Sequence, residues 1–306
     1  MRMVVLLVLT CLSFLSSPCR AQEPAPHIAQ CQRFVISQQA ASHNPKRPSA
    51  LDLVGPTGAR LVYVGVRHTR DPADTQWSVI EAAWRKLQPT IAFYEGFGTS
   101  VADSADAAIR QDGEPGLLRF LASRRGVPAH SLEPSREAEV ESLLTHFSAQ
   151  QLVMFYVLRI VNEERREDHV SGSALDSAFA TALAYIQRTP KLAGVLPDTG
   201  ALRAAFGAIF PTMDPLAVPD RWFDPNHTSA EIGSKFFNDV NRASSMFRDE
   251  YMYDQLAAAL QVPGARVFAE VGRDHIAAQA AALSCVLGIG TNEISGASSP
   301  PLIPPS

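Results

Sequence analysis

Hydrophobic residues along this chain switch between two periods. Leu61-Val62-Tyr63-Val64, Ile91-Ala92-Phe93-Tyr94 and Ala265 to Val271 are short, nearly unbroken apolar runs. Strands covered on both faces have that pattern. Leu51 to Val54, Gly55-Pro56-Thr57-Gly58 and Arg60 to Val66 predict strand, turn, strand. Between the runs, Trp77, Ile80, Ala83, Trp84 and Leu87 recur at helical spacing within Asp74 to Leu87, and Pro89 closes that helix. Trp77 and Trp84 share its inner face and read as core. Gly113 to Arg125 predicts a helix that stops at Gly126, and Val127 to Leu132 a further short strand.

From Ser135 to about Gln261 the strand signals vanish. Glu137–Phe147, Ala149–Arg166, Ala174–Arg188 and Ala230–Leu260 read as helices, with an irregular stretch marked by Pro211, Pro215, Pro219 and Pro225. Ile276 to Leu287 is a final Ala-rich helix. The order predicts a single α/β domain over residues 49–290: a mixed or mostly parallel sheet flanked by helices, with a large helical insertion at about 135–261. The strands near Leu61, Ile91, Val127 and Val267 should be neighbours. Residues 22–48 read as a loose lead-in, and residues 291–306 as a Pro-rich disordered tail.

Composition narrows the picture. With 46% hydrophobic and 19% charged residues the 306-residue chain is globular. Its net charge of -4 disfavours a nucleic-acid partner. Met1-Arg2-Met3, the apolar run Val4 to Leu9 extended by Leu12, Phe14 and Leu15, and the small Cys19 and Ala21 predict a signal peptide over residues 1–21. That apolar run is too short for a permanent span. The expectation is an exported chain, periplasmic or secreted, with no stable membrane span after processing. Cys11 and Cys19 would leave with the leader, so Cys31 and Cys285 are expected to form one disulfide.

The chemistry-bearing residues fall at strand ends. Gly65-Val66-Arg67-His68 follows one apolar strand and Gly272-Arg273-Asp274-His275 another, with glycine expected to let the chain turn sharply. Glu95 ends the strand between them. In parallel sheets that edge is where ligands bind. Two imidazoles and a carboxylate suit a catalytic divalent metal, which lowers the pKa of bound water. Mn, Co or Zn each fit such a set. Arg248 is placed to hold developing negative charge, Glu133 is a second candidate carboxylate, and Asp274 a candidate to orient His275. Each motif also carries an arginine between its glycine and histidine, Arg67 in the first and Arg273 in the second. His-Glu-x-x-His, a Gly-rich phosphate loop and a nucleophile elbow are all absent.

The paired Gly-x-x-His motifs, Glu95, the Leu132-Glu133-Pro134 stretch and Arg248-Asp249-Glu250-Tyr251-Met252 together resemble the Tiki/TraB/GumN superfamily, which includes erythromycin-esterase-like and ChaN-like proteins. The resemblance spans Leu61 to Leu287 through these short patches. It implies a metal-dependent hydrolase, peptidase-like, acting on a peptide or small-molecule substrate. His68, Glu95 and His275 would be the metal-binding and catalytic set, with Arg248 and Glu133 beside them. The alternatives are a haem, iron or small-ligand binding protein on the same fold, and a scaffold that has lost the chemistry.

Overall fold

The computed structural model of the chain describes residues 26–44, 47–167 and 169–289. The expected leader and the Pro-rich tail lie outside them. Five strands form one sheet: β1 (Ala50–Val54), β2 (Arg60–Val66), β3 (Ile91–Tyr94), β4 (Ala129–Ser131) and β5 (Arg266–Gly272). Their spatial order is β1-β2-β5-β3-β4. Only β1 is antiparallel to its neighbour; the other three pairings are parallel. The sheet is therefore mixed and mostly parallel, as expected, and the last strand in sequence sits at its centre.

Alternation along the strands builds two cores. On β2, Leu61 and Tyr63 face one side and Val62, Val64 and Val66 the other; on β5, Val267, Ala269 and Val271 oppose Phe268. One face is covered by α3 (Gln76–Leu87) and α4 (Ala105–Arg125), with Trp77 and Trp84 buried against it. The other is covered by α1 (Pro26–Gln32), α10 (Phe237–Leu260) and α11 (Arg273–Val286). Asp249, Met252, Tyr253, Leu256, Ala257 and Leu260 are buried along α10, the three-and-four spacing of a helix stripe facing a core.

The insertion is all helical among the described residues. α5 (Arg136–Leu143), α6 (Ala149–Glu167), α7 (Ser173–Ile186), α8 (Thr199–Ile209) and α9 (Ser229–Ile232) lie between β4 and α10. They close their own core around Phe155, Phe206, Trp222 and Phe237. Two details differ from expectation. Thr199–Ile209 is helical, with Asp198 capping it, inside the stretch expected to be irregular. The run from Ala230 is interrupted at Gly233 (φ 77°) before α10 begins.

The lead-in is also not loose. α1 and the short α2 (Gln38–Ser42) pack on α10 and α11. Ile28, Cys31 and Val35 enter the core, and Tyr253 donates to the Ile28 carbonyl at 2.7 Å. Three apolar residues at helical spacing were enough to dock a segment whose composition is otherwise polar. Cys31 and Cys285 form the expected disulfide, pinning α1 to α11 across 254 residues.

Candidate functional site

Each parallel strand delivers one acidic or imidazole group at its C-terminal end. His68 stands two residues beyond β2, Glu95 one beyond β3, Glu133 two beyond β4 and His275 three beyond β5. Sheet order and strand direction thus gather residues from opposite ends of the chain. Arg248 and Asp249 reach the same edge from α10.

Glu95 is the hub. Its Oε2 accepts from the Gly272 backbone N–H at 2.5 Å. Its Oε1 accepts from Arg248 Nη2 at 2.7 Å and lies 3.4 Å from His275 Nε2. Arg248 also donates to Glu133, from Nε at 3.0 Å and Nη2 at 2.6 Å. Burial alone would raise the Glu95 carboxyl, but His275, Arg248 and His68 outweigh it and hold it well below the usual range.

Gly272 reports where the first histidine sits. A Cβ at this position would lie 3.3 Å from Glu95 Oε2 and 3.3 Å from His68 Nε2, with His275 Cδ2 at 3.7 Å. His68, Glu95 and His275 therefore crowd one point of backbone. The motif glycines serve by lacking a side chain, not by turning the chain: Gly272 has φ −53°, and a Cβ on Gly65 would strike the Ser49 carbonyl at 2.6 Å. Gly272 leads directly into α11, so His275 lies in that helix's first turn.

Behind each imidazole stands a second carboxylate. His275 Nδ1 lies 2.8 Å from Asp249 Oδ1, which also accepts from Gln279 at 2.7 Å, while Gln38 donates to Oδ2 at 3.3 Å. Tyr63 donates in turn to Gln279 at 3.2 Å. His68 Nδ1 lies 3.7 Å from Glu114 Oε2, and the Thr69 N–H donates to Glu114 Oε1 at 3.1 Å. Glu114 is delivered by a kink in α4. Gly113 takes φ 62°, ψ −134°, and a Cβ there would press on the Thr69 carbonyl at 2.8 Å. Pro115 comes next, so the helix bends against the His68 loop.

Both imidazoles are shifted upward. His68 rises to about 9, chiefly through its contact with Glu114, with the Glu95 charge adding to it. Burial would lower His275, but Asp249 and Glu95 raise it to about 10. Glu95 adds to both shifts, so the carboxylates around the rings favour their charged forms.

The five expected site residues are thus brought together. Other expectations fall elsewhere. Asp274 does not orient His275; it is exposed and pairs with Arg47 at 3.2 Å, because the helix turn points it away. Arg67 pairs with Asp74. Glu114, Gln38 and Gln279 escape a reading by motif, since none belongs to one; Asp249 was visible only as the neighbour of Arg248. The acid at the Gly113-Glu114-Pro115 break was the one available signal.

The donor chemistry suits a cation. Each ring has its Nδ1 on the side of a separate carboxylate, the way metal-binding imidazoles are commonly oriented, and the Nε2 of His275 faces Glu95. As arranged, however, no group of three or more His, Cys, Asp or Glu side chains among the described residues is close enough to hold a metal ion. Nor is any described helix long and apolar enough to cross a membrane.

The chain matches no family model, no curated protein and no solved structure.

Proposed function

We propose that this chain is an exported hydrolase of the Tiki/TraB/GumN type, with its reaction centre at His68, Glu95 and His275. The observation that carries the reading is the convergence of His68, Glu95 and His275, from distant parts of the chain, on the backbone at Gly272. A divalent ion, Mn, Co or Zn, would be held by His68, Glu95 and His275, and would supply a hydroxide near neutral pH. The excess of carboxylates over guanidinium is the charge such an ion would balance. The disulfide supports passage to an oxidising compartment.

The chain's own residues account for the rest. Glu95 remains ionised and fixed by the Gly272 N–H and Arg248, so it is positioned before substrate arrives. Asp249 fixes the His275 ring from Nδ1, leaving Nε2 turned toward Glu95, where the ion would be held. Arg248, tied to two carboxylates, keeps positive charge where an oxyanion develops. His68 lies at the open side, with 64% of its side chain exposed, and meets substrate and solvent together.

The test combines hydrolysis of a peptide panel with elemental analysis of the purified protein. Loss of hydrolysis in both His68→Ala and His275→Ala, with loss of stoichiometric metal in both, is the expected result. Undiminished hydrolysis in His275→Ala would sink the proposed centre.

A further inference from the structure

Beside the reaction centre lies a cavity of about 200 Å³ between the loops after β3 and β4 and the helical insertion. Glu133 and Arg248 form its inner wall, so it opens directly onto the Glu95 cluster. Its other charged groups come from α5 and α6, and Phe97, 66% exposed, stands at its rim.

Of the three arginines and three glutamates lining this cavity, Arg136 and Glu139 are left without an ion-pair partner among the described residues. Glu133 is held by Arg248. Glu163 pairs with Arg159 at 3.1 Å. Glu139 is buried and accepts from the Ser244 hydroxyl. Arg136 has no acid partner and no hydrogen bond among the described residues. Its guanidinium lies over the rings of Tyr156 and Tyr185, 4.9 Å and 5.3 Å from their centroids. Two aromatic faces fix its plane and leave its N–H edge for a ligand. A guanidinium in a partly desolvated cavity without a counterion is a site for an anion.

We propose that this cavity is the substrate's carboxylate subsite, with Arg136 as its anchor. A carboxylate fits better than a phosphate. Three glutamates line the same walls, so a dianion would meet repulsion that a single negative charge largely escapes. The volume is below that of a drug-sized site and admits about one residue. Phe97 supplies apolar contact for the side chain next to the carboxylate. This rests on the proposed reaction centre and adds its specificity: substrates carry a free carboxylate about one residue from the bond that is cut.

The test uses N-acetyl-phenylalanine and its amide, which differ in the free carboxylate, titrated into the full-length processed protein by calorimetry. The wild type is expected to bind the acid at least tenfold more tightly than the amide. Arg136→Gln should equalise the two, and Arg136→Lys should restore part of the preference. Equal binding of acid and amide, binding of neither, or a preference that survives Arg136→Gln overturns the subsite. His275→Ala should keep the acid preference while losing hydrolysis. If wild type and His275→Ala both prefer the acid and neither hydrolyses, the subsite stands and the hydrolase reading fails.

Discussion

The two Gly-x-x-His turns share a spacing and end in opposite surroundings. His275 lies in the first turn of a helix, 7% of its side chain exposed, with Asp249 at 2.8 Å. His68 lies in a loop, 64% exposed, with Glu114 at 3.7 Å. The difference arises in the chain just beyond each strand. β5 runs straight into α11, which the disulfide ties to α1 at its far end. β2 runs into the irregular stretch before α3. The same four-letter pattern thus gives one rigid, buried group and one exposed group. The proposed centre would use both: a fixed ligand, and a partner that substrate can reach.

The sharpest way to break this asymmetry is at the rings themselves. His275→Ala is expected to abolish hydrolysis together with stoichiometric metal, with a smaller loss of hydrolysis for His68→Ala. Equal losses would mean that exposure does not divide the roles. Next come the carboxylates behind the rings. Asp249→Ala strands a buried His275 beside Glu95 and should cost about 3–5 kcal/mol of stability by denaturant unfolding. Glu114→Ala, beside an exposed ring, should cost about 1 kcal/mol. Opening the clasp with Cys31→Ser and Cys285→Ser together should cost about 2–5 kcal/mol. The same variant should loosen amide-exchange protection around His275 more than around His68.

The smallest effect lies on the His68 side. Glu270 is 1% exposed, neither carboxylate oxygen has a hydrogen bond in the described structure, and burial with the nearby Glu114 raises it well above 4.5. A group raised in the folded state binds its proton more tightly there than when unfolded. Stability is then greatest below the unfolded value near 4.5 and falls as pH rises above it. Glu270→Gln should therefore stabilise the protein by about 1 kcal/mol or more at neutral pH, with the advantage vanishing near pH 4. An advantage independent of pH would show that Glu270 is not the strained group.

Much of this was legible in the residues. The apolar runs at Leu61, Ile91 and Val267 declared buried parallel strands, and strand ends in such sheets declared where to look. His68, Glu95, Glu133 and His275 were found that way, and Arg248 as a candidate on the helix that leads to the last strand. The lead-in was misread because average composition hides a three-residue docking stripe at Ile28, Cys31 and Val35. Glu114 was missed because its role depends on a kink that brings α4 against a loop more than forty positions earlier in the chain. Asp274 was favoured over Asp249 for the opposite reason: sequence adjacency suggests contact, yet successive helix residues point about 100° apart.

By itself the sequence determined most of the local matters: the strands, the longer helices, which cysteines can pair and which residue types stand at the strand ends. Periodicity and turn chemistry act over a few residues, so they can be read one window at a time. The tertiary structure alone decided which groups meet. β5 entering between β2 and β3 brings residues 68, 95 and 275 to one edge, α10 supplies Asp249 to one ring and the bent α4 supplies Glu114 to the other. Those choices depend on packing and electrostatics summed over distant segments, which no local window contains.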